Sequence, residues 1–160
     1  MRRHLLWVSA TLALITACGG STTANPPASS GAACVNQTAA HHAYVVVEHL
    51  SGATLQRCVG FNGEQLGGEE LMNQSGIKYT AQTFSGLGKA VCQIDGEPAS
   101  FTECFPKDKP FWGLLVETGG GPWTDAQSGY TQINLKDGDA LGWSYRSATG
   151  SPSPLPMPKK

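Results

Sequence analysis

Ala43-Tyr44-Val45-Val46-Val47-Glu48-His49-Leu50-Ser51-Gly52-Ala53-Thr54-Leu55-Gln56-Arg57-Cys58-Val59 is the stretch on which the fold turns. Residues 43–50 are rich in β-branched side chains and stop at Ser51-Gly52, which marks a strand and its turn. Residues 54–59 alternate apolar and polar, the period of a strand with two unlike faces, so the pair closes as a hairpin. Downstream, Gly67-Gly68-Glu69-Glu70-Leu71-Met72-Asn73-Gln74-Ser75-Gly76 reads as one short helix. Its two acids stand in the first turn, where they complement the helix dipole, and Gly76 falls where a left-handed C-cap is wanted.

The remaining chain reads as strands. Residues 77–83 and 89–94 look extended, and Phe111-Trp112-Gly113-Leu114-Leu115-Val116-Glu117 is a dense aromatic and aliphatic run. Residues 132–135, the turn Lys136-Asp137-Gly138-Asp139, and residues 140–145 close the domain. Trp143 alternates with Leu141 and Tyr145 on that last strand, which assigns it to the core. Hairpin, one helix, then mainly antiparallel strands define an α+β domain with the β-grasp outline.

The start of the chain carries a different signal. Arg2 and Arg3 precede an apolar run of about ten residues, the length of a signal h-region and too short to span a bilayer. The run ends at Leu14-Ile15-Thr16-Ala17-Cys18, a lipobox pattern in which small residues precede the cysteine that takes a diacylglyceryl thioether. Residues 1–17 are thus expected to be a lipoprotein signal peptide. Residues 18–33, small, polar and uncharged, are expected to be a flexible tether from lipidated Cys18. The expected localisation is the extracytoplasmic face of the cell membrane, with contact through the lipid anchor only.

Cleavage before Cys18 leaves 143 of the 160 residues, and the folded part, residues 34–147, is one domain of ordinary size. Residues 148–160, with Ser151-Pro152-Ser153-Pro154-Leu155-Pro156-Met157-Pro158-Lys159-Lys160, are expected to form a disordered proline-rich tail. Two of the eleven basic residues lie in the leader, leaving nine against twelve acids and a net charge of −3. That balance provides no basic footprint for nucleic acid.

Of five cysteines, Cys34, Cys58, Cys92 and Cys104 remain once Cys18 is lipidated, an even set in a chain bound for an oxidising compartment. Four cysteines allow three pairings. Cys92 and Cys104 flank an excursion that contains Asp95-Gly96, a strong hairpin-turn dipeptide, which favours pairing them. Cys34 precedes the first strand and Cys58 sits in the second, which favours the other pair. Neither spacing suits zinc, and His41 and His42 at the edge of the domain are read as solvated.

The order of motifs adds a resemblance. After the helix come Phe84-Ser85-Gly86-Leu87-Gly88-Lys89-Ala90-Val91-Cys92-Gln93-Ile94-Asp95-Gly96, then Phe111-Trp112-Gly113, Gly121-Pro122-Trp123, and Lys136-Asp137-Gly138-Asp139-Ala140-Leu141-Gly142-Trp143-Ser144-Tyr145. Across residues 43–146 this succession resembles the family built on the C-terminal domain of transcobalamin and intrinsic factor. Secreted bacterial members commonly carry two cysteines like Cys92 and Cys104. The resemblance implies a β-grasp fold that binds a soluble ligand. In cobalamin carriers this domain closes over one face of the corrin while a separate helical domain holds the other. This chain has no helical domain, so the resemblance implies autonomous binding, a separate helical partner protein, or a fold without its ligand.

Catalytic signatures are lacking. Gly-x-Ser-x-Gly, His-Glu-x-x-His and phosphate loops do not occur. Ser144, His49 and Asp139 form no recognisable constellation, and Glu69 and Glu70 are dipole partners rather than an acid pair. The sequence therefore points to a non-catalytic binding module for a small soluble ligand, a corrinoid first, with no resident metal or cofactor. Phe111, Trp112, Trp123 and Tyr130 are the candidate ligand contacts. Trp123 lies in a loop with three glycines, where a large ring either covers a ligand or folds back onto its own sheet. The alternative function is an envelope lipoprotein whose sheet and Gly-Trp loop dock another secreted protein.

Overall fold

The computed structural model describes residues 34–147 and 154–160. In chain order the elements are β1 Cys34–Val35, β2 His41–Glu48, β3 Thr54–Phe61, β4 Leu66–Gly67 and helix α1 Gly68–Gln74. They continue with β5 Tyr79–Phe84, β6 Gly88–Ile94, β7 Phe111–Glu117, β8 Thr124–Asp125, a 3-10 turn Tyr130–Gln132, β9 Asn134–Leu135 and β10 Ala140–Arg146. The sheet order is β1-β3-β2-β10-β7-β8, beside two-stranded pairs β4-β9 and β5-β6. β2 and β10 lie parallel at the centre, with Tyr44 opposite Ala140 and Val47 opposite Trp143. The hairpin β2-β3 and the pair β10-β7 are antiparallel. A first hairpin, a helix and a last strand inserted parallel to the first long one is the β-grasp arrangement expected from the sequence.

Alternation along the central strands separates two apolar faces. Ala43, Val45 and Val47 of β2 join Leu141, Trp143 and Tyr145 of β10 and Trp112 of β7 in the main core. Leu71 and Met72 of α1 close that core from above, and the Trp143 indole Nε1 lies 3.3 Å from the Met72 sulfur. Gly76, at φ 73°, terminates the helix as its position suggested. Lys89 of β6 pairs with Glu69 in the first turn of α1, tying the β5-β6 hairpin to the helix.

Both disulfides form the pairs favoured by the sequence. Cys34–Cys58 joins the short parallel pair β1 and β3 with Cα atoms 4.4 Å apart. Cys92–Cys104, at 4.3 Å, closes the excursion between β6 and β7. Asp95 and Gly96 both take positive φ, 47° and 82°, and Ile94 and Glu97 exchange backbone hydrogen bonds of 3.0 and 2.8 Å. That is the mirror-image two-residue turn that Asp-Gly favours.

One element departs from expectation. The unbroken apolar run Tyr44-Val45-Val46-Val47 is buried on both faces, so something must cover the side of the sheet away from α1. The cover is Trp123 together with part of the segment expected to be a disordered tail. Leu155, only 3% exposed, packs with Val46 and Leu115, and Trp123 packs against both this cluster and the one formed by Tyr44, Cys58 and Ala140. The side chain of Gln56 on β3 donates to the Lys159 carbonyl and accepts from its N–H, at 2.8 and 2.9 Å. Residues 154–160 are therefore a strap. A leucine among prolines finds an apolar slot, which a composition rule for tails does not anticipate. The expected signal peptide, the whole expected tether 18–33, and residues 148–153 lie outside the described residues. Among the described residues no helix is long and apolar enough to cross a membrane.

Candidate functional site

β8 pairs with only Leu115 and Val116 of β7, so the Phe111 end of that strand has the sheet on one side alone. A cleft of about 190 Å³ opens there between β7 and β6, with Leu87, Lys89 and Ala90 on one wall and Ala126, Ser128 and Gly129 on another. A second cavity of about 360 Å³ adjoins it beneath the disulfide-closed excursion and is lined by Phe101, Glu103, Lys107, Asp108, Lys109 and Tyr145 among others. Phe111 borders both.

The shared wall is aromatic. Phe105 lies 5.4 Å from Phe84 and 6.0 Å from Phe111 between ring centroids, and it is 43% exposed. The Arg146 guanidinium sits 5.7 Å from the Phe111 centroid and bonds the Asp125 carboxylate at 2.8 Å. Gly113 makes that placement possible: a Cβ at this residue would meet the guanidinium at 2.4–2.7 Å. The site thus offers flat apolar surfaces and one oriented guanidinium, a combination that suits a flat ligand bearing an acceptor or an anionic group. The Cys92–Cys104 bridge fixes the excursion over it, because Cys92 and Cys104 both line the larger cavity.

The four candidate aromatics do not converge. Phe111 and Trp112 border the smaller cleft; Trp123 and Tyr130 border neither cavity. Trp112 is 1% exposed, donates to the Glu97 carbonyl at 2.8 Å, and packs against Tyr145 and edge-on to His49. Tyr130 is a core residue of the 3-10 turn, edge-on to Tyr79 and Trp143. Burial, then the Tyr79 hydroxyl, pushes its phenol well above the ordinary tyrosine range. Trp123 takes the second of the two courses open to it and folds back on the outer sheet face. Phe105 and Arg146 are site residues that the sequence reading missed. Phe105 stands alone in a polar excursion, and Arg146 ends a strand, so neither carried a local signal.

The residues weighed for catalysis belong to separate networks. Ser144 donates to Glu48 at 3.3 Å, His49 Nδ1 pairs with Glu97 at 2.6 Å, and Asp139 accepts from the Gly119 and Lys136 N–H groups. Glu70 bonds Gln74 within the helix. Among the described residues no three His, Cys, Asp or Glu side chains group so as to hold a metal ion. His41 and His42 are half-buried rather than fully solvated: His41 lies 5.5 Å from the Phe61 ring, and the His42 N–H bonds Asp137.

No family model and no curated protein matches the sequence. A solved structure from Ruminococcus gnavus ATCC 29149, described as a "putative metal binding protein", is similar over 67% of this chain and 97% of its own, at 17% identity and a TM-score of 0.46.

Proposed function

We propose that this protein is a lipid-anchored, extracytoplasmic binding module that takes a small soluble ligand in the double cleft around Phe111. The observation that supports it is the adjacency of two cavities across one aromatic wall, with Phe105 exposed and Arg146 oriented beside it. Sites of this kind are concave and mostly apolar, with a few placed polar groups. A corrinoid is the first ligand to try, on the strength of the resemblance. Each cavity is smaller than a corrin, so such a ligand would enter by an edge or a side arm and leave its other face to a helical partner protein.

The test is calorimetric titration of the purified chain with cyanocobalamin and with flat aromatic acids. Saturable binding that Phe111→Ala weakens by about 1–3 kcal/mol supports the reading. Binding that Phe111→Ala and Phe105→Ala leave unchanged places the ligand elsewhere.

A second reading, docking of another secreted protein on the sheet and Gly-Trp loop, has its own support. The outer sheet face around Trp123 already accommodates a polypeptide segment, the 154–160 strap.

A further inference from the structure

We infer that the outer face of the sheet is a groove for an extended, proline-rich, lysine-bearing segment of another protein, with residues 154–160 as its occupant in cis. The inference deepens the second reading and is independent of the cleft.

The strap shows what the groove recognises. Leu155 and Pro158 are buried while Pro154, Pro156 and Met157 are exposed. Burial every third residue is the period of a polyproline II helix, which has three residues per turn and a fully solvated backbone. Such segments bind grooves with aromatic walls and lose little entropy on doing so. Here the wall is Trp123 and the floor is Gly142. A Cβ on Gly142 would lie 2.4 Å from the Leu155 methyl and 2.8 Å from the Trp123 ring, so glycine is what lets both rest on the strand.

Two polar features point the same way. The Trp123 indole Nε1 is buried and has no hydrogen-bond partner among the described residues. An unpaired buried donor is costly, and a carbonyl of a differently spaced proline-rich segment would satisfy it. Glu117 is fully buried, and its Oε2 has no hydrogen bond among the described residues, with the Lys160 ammonium 3.8 Å away. A basic side chain at the same place on another segment would neutralise that carboxylate at closer range. The cis strap thus fills the groove while leaving two of its polar groups incompletely matched, as a displaceable occupant would.

The experiment titrates a fluorescent peptide of residues 151–160 into the full chain and into full chains carrying Leu155→Asp, which ejects the strap. Since a groove occupied in cis has its apparent affinity reduced by the fraction that is open, the variant should bind about tenfold or more tightly than the wild type. Adding Gly142→Val to Leu155→Asp should abolish binding, and a peptide with Lys160→Ala should bind less tightly. If Leu155→Asp does not fold, Lys160→Ala in the full chain, which loosens the strap at Glu117 and leaves the groove intact, should show the same change in smaller measure. Equal peptide binding by wild type and variant, or none by a folded variant, overturns the groove. Concentration-dependent dimers of the wild type would assign it to a second copy's strap and overturn the assignment to another protein. Neither result depends on cyanocobalamin or any cleft ligand.

Discussion

The two tryptophans of the β10 neighbourhood show how much one residue's alternation conveys. Trp143 and Gly142 are adjacent on β10, yet Trp143 enters the main core while Gly142 underlies Trp123 on the opposite face. Alternation with Leu141 and Tyr145 was enough to place Trp143. Trp143→Ala removes a buried ring and its contact with Met72, and should lower stability by about 3–5 kcal/mol in denaturant unfolding. Trp123→Ala should cost less, about 1–3 kcal/mol, because the ring is only half-buried. It should also loosen the strap, seen as faster amide exchange at Lys159, whose N–H bonds Gln56. Trp112 and Tyr130, candidate ligand contacts by sequence, are buried in the main core, and an aromatic in a strand or turn reads alike whether it faces a ligand or the core. What decides is the register, Tyr145 opposite Trp112 across two strands distant in sequence, and no local pattern encodes it.

Among the elements, those with strong local periodicity were the legible ones. β7 occupies the expected residues 111–117, β2 is shifted two residues toward the N-terminus, and β3 runs two residues further than expected. Of the two-residue pieces, β9 falls within the expected residues 132–135, whereas β1, β4 and β8 were not legible and exist because tertiary neighbours offer hydrogen bonds. The excursion between β6 and β7 is shaped by a covalent link instead of by regular structure. Removing that link with Cys92→Ser/Cys104→Ser should lower stability by about 2–4 kcal/mol and the melting temperature with it. The same variant should lose ligand affinity beyond what its melting curve explains, because the bridge sets the roof of the larger cavity. An unchanged affinity in the folded fraction would mean that the excursion is not part of the site. The strap was illegible for a further reason. Its prolines signal an absence of helix and strand, and that is correct, but Leu155 makes it a ligand for the sheet nonetheless.

For the whole molecule, the order of elements gave the class and the topology followed from it. The β-grasp outline depends on β10 inserting between β2 and β7, and a hairpin followed by one helix restricts the last strand to few other places. The molecule's response to alkali also follows from its packing. Tyr44, Tyr130 and Tyr145 all have raised phenol pKa values, with burial the first cause in each. The unfolded chain would ionise these groups near pH 10 while the folded chain keeps them protonated. Their contribution is therefore complete below pH 10 and lost as pH rises through the folded values, so stability should fall steeply above about pH 10. Melting temperatures measured from pH 8 to 12 check this, and a flat profile would contradict it. The anchor lies outside the described residues. There, Cys18→Ala should block processing and move the protein out of the membrane fraction, whereas a mature N-terminus well beyond Cys18 would refute lipidation.

The central claim is that the cleft around Phe111 holds a small molecule, and native mass spectrometry of the chain purified from its own host, with membrane lipid removed, tests it most directly. The wild type should retain a non-covalent mass that a folded Phe105→Ala/Phe111→Ala variant loses. A wild type that carries only a protein partner, or a small molecule that the double variant retains equally, would contradict it.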